Sequence, residues 1–282
     1  MAYAGSTGNH LFLQNELDPT IYGRTGPTAN SERLYAPYYS NITDILSVGN
    51  SNYNALQVSA NKRFHHGLTI LLNYTFSKSI DEGSNDSSSA ANPFNIRNDR
   101  AVSDFNLPNK FVGSFVWDLP GQSIHNKLVR TVAGGWELNG IVTLQSGLPF
   151  TVTSGVNNSG SNVGSDRANL VGDPSLGGGR STAEMIHEYF NTAAFVVNTP
   201  GTFGNAGRNI LIGPNMKNLD FGLMKNFPIR ERYKVQFRAE AFNLFNHPSF
   251  NNPNASVSAS TFGTITGAGS PRVMQLALKA MF

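Results

Sequence analysis

Apolar and polar side chains alternate residue by residue over several separate stretches of this chain, and that period of two limits its fold more than any other feature. In Tyr53–Phe64, Leu56, Val58, Ala60 and Phe64 share one face, while Gln57, Ser59, Asn61 and Arg63 share the other. Successive side chains of an extended strand point to opposite faces, so this segment reads as a strand with one apolar and one wet face. After His65-His66-Gly67 the alternation resumes, with Leu68, Ile70, Leu72, Tyr74 and Phe76 opposed to Thr69, Asn73, Thr75 and Ser77. Two alternating segments about a tight turn predict an antiparallel hairpin. The pattern returns in Phe111–Trp117, in Trp136–Leu144, in Leu219–Phe227, in Tyr233–Ala241 and in Arg272–Phe282. With a short first strand at Met1–Ala4, it predicts about eight strands, each near the nine to eleven residues of a tilted membrane strand.

Soluble half-buried sheets also alternate, and the connections separate the two cases. They run short, then long, in strict succession. The short ones are His65–Gly67, Pro120–Gly135 and Pro228–Arg232; the long ones are Ser6–Asn52, Ser79–Asn109, Ser146–Lys217 and Leu244–Pro271, rich in Gly, Asn, Ser and Pro. Long connections are uncommon inside compact domains. Outer-membrane barrels, by contrast, have short periplasmic turns and long external loops. Phe64, Trp117, Trp136, Phe227 and Tyr233 lie beside the short connections, where an aromatic girdle belongs, and Tyr74, Phe76 and Phe111 supply part of an upper girdle. Lys62, Lys78 and Lys225 fall on apolar faces near strand ends, where a lipid-facing lysine costs roughly 0–1 kcal/mol against about 2–4 at the midplane. The fold expected is therefore all-β, an antiparallel transmembrane barrel in the outer membrane of a Gram-negative bacterium.

Composition excludes other classes. No run approaches the 18 apolar residues of a membrane helix. A net charge of +3, spread along the chain, offers no clustered basic face for nucleic acid. There are no cysteines, hence no disulfides, thiolate metal sites or thiol nucleophiles. The opening residues MAYAGSTGNHL lack the basic and apolar regions of a signal peptide, so the chain reads as a fragment or truncated reading frame.

Candidate sites are few. His65 and His66 are adjacent and point apart on a strand, which suits a turn better than a metal pair. Asp173–Thr182 (DPSLGGGRST) has glycines but no lysine before its serine and no strand leading in, so it reads as a flexible external loop, not a phosphate-binding loop. Gly201, Gly204 and Gly207 lack dinucleotide-binding spacing and suit positive φ in a folded loop. Asp81, Glu82, Asn85 and Asp86 offer oxygen ligands for a surface Ca²⁺, but not in EF-hand spacing, and read mainly as a solvated loop. Arg238 and Glu240 lie two apart on the polar, lumenal face and suit an internal ion pair. No nucleophile is placed with a base, so no catalytic, cofactor or metal site is expected.

The terminal VMQLALKAMF puts Met274, Leu276, Leu278, Ala280 and Phe282 on one face, resembling the signal read by the barrel-assembly machinery. Longer strings carry more: SNYNALQVSANKRFHHGLTILLNYTFSKSID, GGWELNGIVTLQSGLPFTVTSG, TFGNAGRNILIGPNMKNLDFGLMKNF and QFRAEAFNLFNHPSFNNP. Together they resemble the C-terminal barrel region of Oar-like TonB-dependent receptors of the acidobacterial type. That resemblance implies a barrel of about 22 strands with a plugged lumen, of which residues 1–282 form the C-terminal portion without the plug and N-terminal domains. It also implies partners: membrane lipid, the assembly machinery, the TonB system through the missing plug, and an unknown extracellular solute. The expected function is a receptor segment that forms barrel wall and ligand-capture loops; the alternative is a non-transporting, adhesin-like surface protein.

Overall fold

The structure, a computed structural model, describes residues 1–19, 33–39, 41–121, 125–161, 163–230 and 233–282, without the side chains of His66, Lys127, Leu128, Arg230 and Tyr233. Eight long strands form one antiparallel meander: β1 (Ala2–Glu16), β2 (Thr43–Arg63), β3 (Leu68–Asp81), β4 (Asn109–Asp118), β5 (Trp136–Gln145), β6 (Met216–Arg230), β7 (Tyr233–Phe242) and β8 (Val273–Met281). Each pairs with its neighbours in sequence, and the two-residue strand Ala101–Val102 adds to the end of β3. Among the described residues β1 and β8 do not pair with each other, so the sheet is an open segment of wall.

The register gathers the separate alternations into a single surface. One row of paired residues runs Leu68, Trp117, Leu138, Leu223, Ala239 and Leu276 across β3 to β8. The next row, on the opposite face, runs Thr69, Val116, Asn139, Gly222, Glu240 and Gln275. Because a one-residue slip moves a strand's whole apolar set to the other side, this agreement through six strands fixes every register at once. Gly140 serves the apolar face: it pairs with Phe115, and a Cβ there would stand 2.6 Å from the Phe115 ring. Its bare backbone lets the ring lie across the neighbouring strand.

Most of the apolar face, away from the connection Pro120–Gly135, is left uncovered by the protein. Leu276, Leu278 and Phe282 are 73%, 75% and 94% exposed. Such a surface is stable only against hydrocarbon. Among the described buried apolar residues larger than alanine, only Leu13 belongs to the long strands. The protein core lies elsewhere, in the loops after β5 and β7, where Phe150, Val152, Phe190 and Phe195 pack with Phe262.

Several strand limits differ from those expected. The strand expected at Met1–Ala4 runs to Glu16, and the supposed loop Ser6–Asn52 includes most of β1 and the first part of β2. Polar residues such as Thr7 and Asn52 break the alternation there without breaking the ladder, because the strands continue past the apolar band. Register shifts between Gly8 and Phe12, with His10 at φ 57°, mark a bulge in this extension. β6 likewise starts at Met216 and runs through Pro228 to Arg230, leaving the expected turn at Pro228–Arg232 mostly strand; Glu231 and Arg232 lie outside the described residues.

The connection Pro120–Gly135 is more than a turn. It contains α1 (Lys127–Ala133), followed by Gly135 at φ 73°. A left-handed glycine just past a helix redirects the chain at no steric cost, and here it leads straight into β5. Lys225, on the apolar face of β6, reaches this helix end. Its Nζ donates to the carbonyls of Val132 (2.9 Å) and Gly134 (2.6 Å) and lies over the Trp136 and Phe227 rings at 4.7 and 5.1 Å. Lys225 is 3% exposed, so its expected lipid-facing place is corrected: the ammonium is held within the protein, where it satisfies helix-terminal carbonyls.

Candidate functional site

The connections after β3, β5 and β7, expected as long external loops, fold into one layer at the end of the wall opposite α1. After β5, Pro149–Phe150 pairs with Leu211–Ile212, and Asn169–Leu170 with Phe195–Val196. The stretch beginning DPSLGGG leads to a second helix, α2 (Thr182–His187). Ser181 caps it: its hydroxyl accepts from the Glu184 N–H, and the Glu184 carboxylate accepts from the Ser181 N–H at 2.7 Å. These bonds hold the exposed Glu184 carboxyl below its ordinary range. The serine of the would-be phosphate loop is therefore a capping-box residue. Gly201 and Gly204 adopt positive φ, 79° and 74°, as expected, whereas Gly207 is not among the positive-φ glycines.

The loop after β7 completes this layer. The Tyr189 N–H donates to Gly263 (2.8 Å), the Ile265 N–H to Ile186 (2.9 Å) and the Thr153 N–H to Ala255 (2.9 Å). Phe190 stands at the centre, its ring 5.9, 5.6 and 5.3 Å from those of Phe150, Phe195 and Phe262. Edge-on and tilted contacts of this kind add about 0.5–1.5 kcal/mol per pair beyond burial.

Buried ion pairs tie the loop after β3 to this core. Arg167 binds Asp99, and Arg208 binds Asp81 while standing 3.8 Å from Asp104. Burial pushes the Asp99 carboxyl above its ordinary range, outweighing the opposing pull of Arg167. Asn209 adds donors to the Val102 carbonyl and to Asp104 at 2.8 and 2.6 Å. Of the residues considered for Ca²⁺, Asp81 and Glu82 are buried and engaged in this way, while Asn85 and Asp86 lie exposed in the loop. Asp81 holds Arg208 and Ser84, Glu82 accepts from the Asn50 N–H (2.7 Å) and lies 3.5 Å from Arg100, and Asn85 turns back onto Ser87. Among the described residues no cluster of three or more His, Asp or Glu is set to hold a metal.

These loops lean over the polar face of the wall, which identifies that face as the lumen side. Phe105 and Asn106 line a cavity of about 270 Å³ with Gln57, Thr75, Ser79 and Lys110. A larger cavity, about 670 Å³, lies between the ends of β5 to β8 and the loop after β7, lined by Asn218, Asp220, Phe242, Phe250, Asn251 and Asn252 among others. Farther down the same face, Arg238 donates to Glu240 at 2.5 Å, and Gln275 donates to the other Glu240 oxygen at 2.6 Å. The expected Arg238–Glu240 pair thus exists and has a third member that pairing with β8 brings in.

The remaining expected residues are placed as follows. Trp117, Trp136 and Phe227 sit on the apolar face at the α1 end, and Phe64 follows β2 at the same end, 44% exposed. The Tyr233 and His66 side chains lie outside the described residues. His65 begins a 3-10 turn, His65–Gly67, as a turn residue should. Met274, Leu276, Leu278 and Ala280 share the apolar face of β8, paired to Ala241, Ala239, Phe237 and Val235.

A wall with an uncovered apolar face, a polar lumen face and a folded loop layer at one end finds its counterpart among known proteins. The model of a family described as outer membrane beta barrel domain matches residues 1–275. The chain belongs to that family. Its place is the cell outer membrane, as the lipid-ready face requires. The barrel domain is also similar to a solved structure, the outer membrane transporter YddB from Escherichia coli, at 11% identity and a TM-score of 0.50. That match covers 99% of this chain and 29% of the transporter, so this barrel domain spans less than a third of that protein's length. None of the curated proteins matches the sequence.

Sequence reasoning missed Asp99, Arg167 and Arg208 altogether. Arg167 meets Asp99 across 68 residues and Arg208 meets Asp81 across 127, and no local pattern encodes such pairs.

Proposed function

We propose that this barrel domain is wall and mouth of an outer-membrane receptor that takes up a solute, of the Oar-like TonB-dependent type. The observation that carries this reading is the loop layer: it is packed, held by buried ion pairs, and leans over the lumen face with a polar cavity beneath it. A preorganised concave surface at the entrance to a lumen is suited to capture. Eight strands with two unpaired edges support a wider barrel, since unpaired backbone groups in hydrocarbon cost several kcal/mol each. In this reading the protein has no catalytic step, and its partners are lipid, the solute, the TonB system acting through a plug, and the assembly machinery acting on β8.

Reading the genomic DNA in frame upstream of Met1 tests the proposal: a plug-encoding sequence is expected. A signal peptide directly upstream would point instead to a small adhesin-like surface protein and sink the receptor reading. The assembly role has its own check. Deleting Phe282 is expected to reduce recovery in the outer-membrane fraction, and undiminished recovery would remove that role.

A further inference from the structure

The larger lumen-side cavity has a chemistry that the receptor reading does not specify. Its floor is β6 with the ends of its neighbours, and its roof is the loop after β7, stiffened where Phe250 bridges to Ala268 and the Asn251 N–H donates to Gly267 at 3.0 Å. Of all the residues lining it, Asp220 alone carries a charge. Asp220 Oδ1 already accepts from Asn218 Nδ2 and from the Asn243 N–H, both at 2.9 Å. An anionic ligand would require Arg or Lys donors, and the lining has none. A cationic ligand would face one carboxylate that is already half used.

What remains is a set of carboxamides beside aromatic rings. A carboxamide offers donors and an acceptor together, as does a hydroxyl group, so the two satisfy each other in either direction. Asn251 and Asn252 are exposed on the roof, and Asn218 keeps its Oδ1 on the floor. Phe242, 44% exposed, and the half-buried Phe250 supply flat apolar surfaces for the C–H face of a sugar ring. A neutral peptide bound by strand addition would need a free strand edge for its main chain. On the floor strand only Met216–Asn218 keep such an edge: Met216–Asp220 pair with Gln145–Ile141 on one side, the Leu219 carbonyl accepts from the Leu244 N–H at 2.8 Å on the other, and from Phe221 onward β6 also pairs with β7, so the edge is too short for an extended peptide.

We propose that this cavity binds a neutral oligosaccharide; its volume, about 670 Å³, lies in the usual range for ligand sites. The proposal rests on the receptor reading and names its class of solute. The test uses the full chain folded in detergent, with folding followed by heat-modifiable gel migration. Calorimetry then measures binding of hexasaccharides of β-1,4-glucose, β-1,4-xylose, α-1,4-glucose and β-1,4-N-acetylglucosamine, with hexagalacturonate and a blocked neutral hexapeptide as contrasts. At least one neutral hexasaccharide is expected to bind, weakened at least about tenfold by Asn251→Ala with Asn252→Ala, and by Phe242→Ala, through loss of hydrogen bonds and ring contact. Phe105→Ala, in the smaller cavity, is expected to leave it unchanged. Folded protein that binds none of the four, that prefers the acidic oligomer or the peptide, or whose variants bind like the parent, overturns the proposal. Preference for the peptide would leave the receptor reading standing, whereas an upstream signal peptide would remove that reading even with sugar binding intact.

Discussion

The wall and the loop layer of this protein solve the burial problem in opposite ways. In the wall the apolar side chains point away from the protein and the polar ones toward the lumen, so Leu68, Leu138 and Leu276 form an outer surface. In the loop layer Phe150, Phe190 and Phe195 turn inward, as in any water-soluble core. The wall relies on lipid for its stability, and the loop layer relies on its own packing and ion pairs. The two therefore respond to different substitutions, and each prediction below separates them.

The largest effect is expected from Phe190→Ala, which removes the ring shared by three aromatic contacts. Loss of a buried phenylalanine costs about 3–5 kcal/mol. Hydrogen exchange followed by mass spectrometry is expected to show residues 146–215 deprotected while β3 to β5 stay protected. Deprotection of both would mean that wall and layer unfold as one unit.

Arg167→Ala comes next. It leaves Asp99 buried without its cation, and breaking a buried pair in this way costs about 3–5 kcal/mol at most here. Adding Asp99→Leu is expected to restore most of the lost thermal stability, since two apolar partners leave no orphaned charge. A double variant no better than Arg167→Ala would show that the pair does not link the loops as described.

Within the wall, Leu72→Arg places a cation on the lipid face midway along the apolar set Leu68–Phe76 of β3, at about 2–4 kcal/mol. Its neighbour Asn73 faces the lumen, and Asn73→Arg is expected to fold nearly as well as the parent in a lipid refolding assay. Equal losses at the two positions would contradict the assignment of faces.

The smallest effect concerns α2. Ser181→Ala is expected to cost about 0.5–2 kcal/mol, confined to the layer. Glu184 has a folded pKa below its unfolded one, so the capping box contributes its stability above the ordinary carboxylate pKa of about 4.3. That contribution is lost as the pH falls through the lowered folded value. NMR shifts of Ser181 and Glu184 are expected to follow this loss, and Glu184→Gln to abolish its pH dependence.

The two regions also differ in how legible they were. Seven of the eight strands were visible as alternations, because most apolar residues of a membrane strand face the same solvent and the period reports it directly. β1 was cut short since it continues where that solvent ends. The loop layer left little trace. Phe150, Phe190 and Phe262 come from separate stretches of two connections, each with the Gly, Asn and Ser content of a loop, and nothing in their spacing marks a shared core. Of the candidate site, the Arg238–Glu240 pair was readable because residues two apart share a strand face. Gln275 joined it only through strand pairing.

By itself, then, the sequence determined the all-β wall, which residues meet lipid and which line the lumen. Those properties follow from the two-residue repeat of an extended chain, which is local. Only the tertiary structure decided that the connections after β3, β5 and β7 are folded, that Lys225 closes a helix end, that Asp81 and Glu82 are engaged with arginines, and where a cavity opens above the lumen face. Each of these depends on groups brought together from distant positions, and loops carry no fixed period from which such meetings are read.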